Sequence, residues 1–124
     1  MTQRSAILSA ARREALALTT LSSKNGTSDY KALLAGSAGG LKQQLSSGRK
    51  QFLKTLGTDG VSSVGTVLDA GIVSVKSGTA KVLVDVEATV HNKKTPKPEQ
   101  RSYHWQVSLV SSGGRWLVTN LEFA

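Results

Sequence analysis

Cysteine is missing from the chain, so disulfides and thiolate metal sites are excluded, and no redox compartment can be read from that absence. Histidine occurs only twice. His91 stands beside Asn92 and Lys93, and His104 stands between Tyr103 and Trp105. Neither has a second histidine or a carboxylate at metal-ligand spacing, so a surface or half-buried imidazole is the preferred reading over a catalytic or metal-bound one. Long apolar runs are missing too, and none approaches the roughly 18–20 residues a membrane span needs. The start, MTQRSAILSAARREALALTTL, carries arginines inside its apolar stretch and is not a signal peptide. No G-x-S-x-G nucleophile elbow appears, and Gly36, Gly39 and Gly40 follow no strand, which rules out a P-loop or dinucleotide fingerprint. No cofactor is expected.

Acidic side chains are scarce. Eight Asp and Glu face sixteen Lys and Arg, a formal net charge of +8 over 124 residues. Such a balance favours polyanions, either nucleic acid or anionic headgroups. Aromatics form only 5% of the chain. Nucleic-acid binding would interleave them with the cations as stacking surfaces. Here Lys42, Arg49, Lys50 and Lys54 stripe one helix and Lys93, Lys94 and Lys97 crowd one loop, while the aromatics lie elsewhere. Nucleic acid is therefore not the expected partner. A solvated face drawn to anionic lipid is.

What is present is periodic. Ile7, Leu8, Ala11, Ala15, Leu18 and Leu21 share one sector of a helical wheel, with Ser5 as expected N-cap and Lys24-Asn25-Gly26 as the stop. A short helix follows over DYKALLAG, capped by Ser28. A third runs through Leu41, Leu45, Gly48, Phe52 and Leu56, and Gly48 in that stripe predicts a close-passing backbone. After Gly57 the period changes to two. VSSVGTVLDAGIVSVK reads as a strand broken or bulged at Gly65 or Gly71. In the next, Ala80, Val82, Val84, Val86, Ala88 and Val90 alternate with Lys81, Leu83, Asp85, Glu87, Thr89 and His91, the pattern of a sheet packed on one side. Asp85 and Glu87 are expected to link to the lysine-rich loop NKKTPKPEQ. RSYHWQVSLV and RWLVTNLEF supply a final hairpin. Joining its two more apolar faces needs an odd connection, so a three-residue Ser112-Gly113-Gly114 loop is preferred; a Gly-Gly turn would instead bring Trp116 onto the Trp105 face. On the preferred register Trp105 packs inward and Trp116 outward, as a candidate partner contact.

The order, about three helices and then about four antiparallel strands, is an α+β domain with the helices on one face of the sheet. No repeat and no linker divides it, so residues 1–124 are expected to form one domain. On the wheel Glu14 points into the apolar sector. A carboxyl held there would have a raised pKa, although an arginine partner or a rotated helix is the preferred expectation.

The stretches DYKALLAGSAGGLKQQLSSGRKQFLKTL, GVSSVGTVLDAGIVS, TAKVLVDVEATV and RSYHWQVSLV followed by GGRWLVTNLEF resemble the Mce-associated proteins of actinobacteria, accessory proteins of the Mce lipid import systems. The resemblance runs from about Ala10 to Phe123, and none of it is a catalytic motif. It implies a nuclear transport factor 2-like cone, a curved antiparallel sheet wrapped around helices, outside the cytoplasmic membrane. Members carry one membrane helix ahead of this domain; this chain departs from the plan in lacking it, and a cut just after that helix or a shortened member is the expected reason. The implied work is to stabilise or bridge Mce proteins or permease subunits of the transporter, with no substrate turned over. The same cone serves type IV secretion components and ketosteroid-isomerase-like enzymes, so fold alone does not decide function. The alternative is a small-molecule or isomerase-like pocket between helices and sheet, for which Glu14, Tyr30, Tyr103 and Trp105 are the candidate lining. For the interaction reading the candidate surface is Lys42, Arg49, Lys50, Lys54, Lys93, Lys94, Lys97 and Trp116.

Overall fold

The computed structural model describes residues 2–94 and 97–124. Thr95 and Pro96, in the expected proline loop, lie outside the described residues. Helix α1 (Gln3–Thr19) is capped by Thr2, whose hydroxyl accepts from the Ser5 N–H at 3.1 Å, so the cap is Thr2 and not Ser5. The helix also ends earlier than the local pattern predicts. Thr19 is buried and donates back to the Ala15 carbonyl, after which Leu21–Ser22 leave the helix to pair with Ser62 and Ser63 as a two-residue strand, β1. Pairing across the fold overrides the helical period there. Helix α2 spans Gly26–Ala35; Asn25 sits at the cap position, and Ser28 donates its hydroxyl to the Asn25 carbonyl. The expected third helix is two: α3 (Gly39–Ser47) and α4 (Arg49–Asp59) meet at Gly48. A Cβ at Gly48 would touch only the Gln44 carbonyl, at 3.1 Å, so this glycine marks a junction and not a crossing backbone.

Strands β2 (Ser62–Lys76), β3 (Thr79–His91), β4 (Glu99–Ser112) and β5 (Arg115–Phe123) follow as an antiparallel meander, giving the sheet order β1-β2-β3-β4-β5. Helices on one face of an antiparallel sheet are what the alternation in β3 requires, and the α+β expectation holds with one more helix and one more short strand. Both long hairpins turn on two residues in the left-handed region: Ser77-Gly78 at φ 47° and 79°, and Gly113-Gly114 at φ 56° and 79°. Glycine, which holds three of these four positions, adopts such angles cheaply, and the turn's twist matches that of the strands.

The β4–β5 turn therefore has two residues and not three. Ser112 pairs with Arg115, Ser111 with Trp116 and Leu109 with Val118. Trp116 thus shares the inner face with Trp105, and it packs half-buried against the core, correcting the expected outward placement. The odd residue demanded by the apolar pattern exists, but as a bulge at Thr119. Beyond it Leu121 pairs with Val107 and packs against the core, while Phe123 pairs with Trp105 but stays exposed at the end of the strand.

Strand β2 also has two register shifts, at Leu68 and Val73, and neither falls at Gly65 or Gly71. Gly65 has a different task. A Cβ there would collide with the Thr19 side chain, so the missing side chain lets the end of α1 lie on β2, where Ser63 donates to the Thr19 carbonyl at 2.6 Å. Helix α1 packs across β2, β3, β4 and β5. It meets them with Ile7, Ala11 and Ala15, small enough to bring the helix close, against Val82, Val84, Val86, Val107, Leu109 and Val118. Burying each valine or larger side chain contributes about 1.5–3 kcal/mol, so this seam is the main source of stability.

Candidate functional site

Glu14 lies on the core side of α1 and is 1% exposed. Its Oε2 is buried without a hydrogen-bond partner, and its Oε1 lies where a Cβ on Gly36 would stand, so Gly36 is the residue that makes room for the carboxyl. Removal from water pushes its pKa up to about 8, against the opposing pull of the Arg13 charge. At neutral pH the group is a protonated acid. The expected arginine partner is absent: among the described residues the ion pairs are Arg101–Glu99 and His104–Asp85.

The other candidate pocket residues are held by packing. Tyr30 is buried in the helix layer, where its hydroxyl donates to the Leu45 carbonyl at 2.8 Å. Its ring lies 5.8 Å from that of Phe52, with the Arg49 guanidinium 5.6 Å from its centre. Tyr103 stacks on Trp105 at 5.1 Å on the inner face of β4. The structure joins Tyr103 to Trp105 and gives Tyr30 a separate cluster. The principal depressions of the described residues lie elsewhere on the surface, and none is lined by Glu14, Tyr30, Tyr103 or Trp105.

The basic residues gather more than the sequence suggests. Lys42 on α3 and Arg49, Lys50 and Lys54 on α4 are all exposed. Two cations of the loop after β3 pack on the end of α4: the Lys93 N–H donates to the Asp59 carbonyl at 3.0 Å, and its side chain lies over Gly60, the left-handed end of α4. Lys94 lines the same small cleft, with Thr58 and Asp59, while Lys97 is exposed beyond it. Across residues 1–60 there are nine Lys and Arg against three Asp and Glu, one of them the buried Glu14. Residues 61–124 hold seven against five. The helical half thus carries +6 of the +8. A second cationic depression, about 470 Å³, opens at the start of α2 between Lys24 and Lys31.

Asp85 does not reach the lysine loop. It meets His104 instead, Oδ1 to Nδ1 at 2.7 Å, on the outer face of the sheet. That face also exposes Leu68, Val73 and Leu83, which reading the sequence as core-facing strands had missed. Their signal was present: Leu83 breaks the polar side of the β3 alternation.

The fold has relatives. The structure superimposes on an IcmL-like type IV secretion system protein from Legionella pneumophila (TM-score 0.77, 11% identity, 99% of this chain and 93% of that one). The periplasmic domain of DotI gives a TM-score of 0.73 at 14% identity, over 100% of this chain and 96% of that one. CagV, a VirB8 homologue from Helicobacter pylori, gives 0.74 at 9% identity, with 97% of each chain covered. Likeness at such identities establishes the nuclear transport factor 2-like fold. In sequence, the chain is 25% identical over 122 residues to the protein Rv1363c of Mycobacterium tuberculosis, covering 98% of this chain and 47% of the relative. It therefore spans about half the length of that relative. The match to the family described as "Uncharacterized protein Rv1363c/MT1408-like" extends over residues 1–124, and the chain belongs to that family.

Proposed function

We propose that this chain is a non-enzymatic interaction domain of the cell envelope, working at the outer side of the cytoplasmic membrane beside the components of an Mce lipid import system. The observation that carries the reading is the set of exposed cations on α3 and α4 together with Lys93 and Lys94, which the loop after β3 packs against the end of α4. Lys50 and Lys54 on α4 and Lys93 at its end would sit against anionic headgroups, each cation contributing about 1 kcal/mol near such a surface. The remaining surface stays available to Mce proteins or permease subunits. Supporting this are the resemblance to Mce-associated proteins and the likeness in fold to periplasmic domains of secretion components. No helix of the described residues is long and apolar enough to cross a membrane.

The test is recovery of Mce or permease components with the tagged protein from native membranes, together with sedimentation on vesicles containing anionic lipid. Binding to anionic but not neutral vesicles, weakened severalfold by Lys50→Glu with Lys54→Glu and by added salt, is the expected result. Recovery of no transporter component, with turnover of a metabolite by the purified protein, would end this reading. The pocket alternative is favoured by one observation only, the unpartnered Oε2 of Glu14. It requires a ligand that displaces the packing around that carboxyl, and a saturable shift of the Glu14 titration on adding a sterol-like ketone would establish it.

A further inference from the structure

We infer that the outer face of the sheet is a docking surface for a cationic, partly apolar segment of a partner protein. This rests on the interaction-domain reading and deepens it by naming the chemistry of the partner. The two bulges of β2 set up the surface. Each shift leaves two consecutive exposed residues, Leu68 with Asp69 and Val73 with Ser74, so aliphatic side chains stand outside the sheet, 57% and 53% exposed. Between the bulges lies Gly71, opposite Leu83, and a Cβ at Gly71 would meet nothing within 4 Å. The result is a groove of about 320 Å³ bordered by Val73 and Leu83, with Asp69 and Asp85 at one end.

Charge selects the occupant. In a chain of net charge +8, this face carries Asp69, Asp85, Glu87 and Glu122, and its lysines, Lys76 and Lys81, lie toward the β2–β3 turn. Asp69 and Asp85 stand directly opposite each other on adjacent strands, a like-charge pairing that costs stability. Asp85 already meets the His104 Nδ1 at 2.7 Å and Asp69 accepts from the Ala70 N–H at 2.9 Å, but among the described residues no lysine or arginine pairs with either. An incoming arginine or lysine would relieve that repulsion, laying its aliphatic stem along Leu83 and Val73 and its cation between the carboxylates. Anionic lipid is repelled by this acidic end, so the two sides of the molecule serve different partners.

The probe is a short capped peptide alternating valine and arginine, titrated into the whole chain while backbone amide NMR signals are followed. The expected result is saturable binding that shifts Gly71, Leu83 and their neighbours. Gly71→Val, which fills the groove without touching the core, and Asp69→Asn with Asp85→Asn should each weaken it about tenfold. A glutamate-for-arginine peptide should not bind, and a serine-for-valine peptide should bind severalfold more weakly. Equal binding of the serine peptide, or shifts confined to the helices, overturns the proposal. So does a concentration-dependent dimer abolished by Gly71→Val, which would make a second copy the occupant. Photo-crosslinking in native membranes separates this claim from the one before it. Recovery of transporter components with the tagged protein but no adduct from position 83 leaves the envelope role standing and removes this surface, whereas neither recovery nor adducts removes both.

Discussion

Leu83 and Val84 are neighbours on β3, yet one is 43% exposed and the other is sealed under α1. The two faces of this strand set out the division of labour in the molecule. The inner face is uniformly aliphatic because it meets a helix of small residues and admits no water. The outer face mixes one aliphatic side chain, Leu83, with Lys81, Asp85, Glu87, Thr89 and His91. Burial is where the folding free energy is generated, and exposure is where recognition is available.

The sharpest way to break the comparison is to place the same group on both faces. Val84→Asp puts an unpaired carboxylate into the seam under Ile7, Ala11 and Ala15 and is expected to cost more than about 4 kcal/mol, enough to lose cooperative unfolding at 25 °C. Leu83→Asp should shift the denaturation midpoint by no more than about 0.5 kcal/mol equivalent. Equal effects would mean that the outer face is covered by something. Next in size is a pair matched in register. Trp105→Ala is expected to cost about 3–5 kcal/mol by urea titration, because its ring is buried against Tyr103. Its cross-strand partner Phe123 is 83% exposed, and Phe123→Ala should change stability little.

Smaller, and dependent on pH, is the effect of Glu14. The folded carboxyl holds its proton up to about pH 8, whereas the unfolded one releases it near 4.5. Its contribution is therefore fully present below pH 4.5, is lost as pH rises through that window, and levels off above 8, a decline on the order of a few kcal/mol. Glu14→Gln removes the titration, so the variant should be flatter across this window and more stable than the parent at pH 8 to 9. Parallel pH profiles for the two proteins would show that the carboxyl reaches water. The smallest expected effect on stability is that of Lys50→Glu with Lys54→Glu, within about 0.5 kcal/mol by thermal melting, since both are exposed.

Much of this was legible beforehand. The alternation of β3 named the buried face residue by residue, because a strand's side-chain period of two is fixed by the backbone. Glu14 was also visible, as the one carboxylate in an apolar sector, but its lack of an ion pair was not. That depended on Gly36, twenty-two positions away, vacating the space it fills. The register of the last hairpin was misread for a related reason. The apolar pattern required one extra residue, but a pattern cannot say where along the strand it goes, and the fold put it at Thr119 and not in the turn. Gly48 looked like a contact and proved a joint.

The chain by itself determined which residues are buried in β3, that helices precede strands, and that the molecule is cationic, since composition and short-range period carry that information. Only the tertiary structure decided where α1 stops, which way Trp116 faces, how Lys93 packs over the end of α4, and that Leu68 and Val73 stand outside the sheet. These outcomes rest on pairings between distant segments, where a one-residue shift in register reverses a side chain's face, and no local pattern contains that choice.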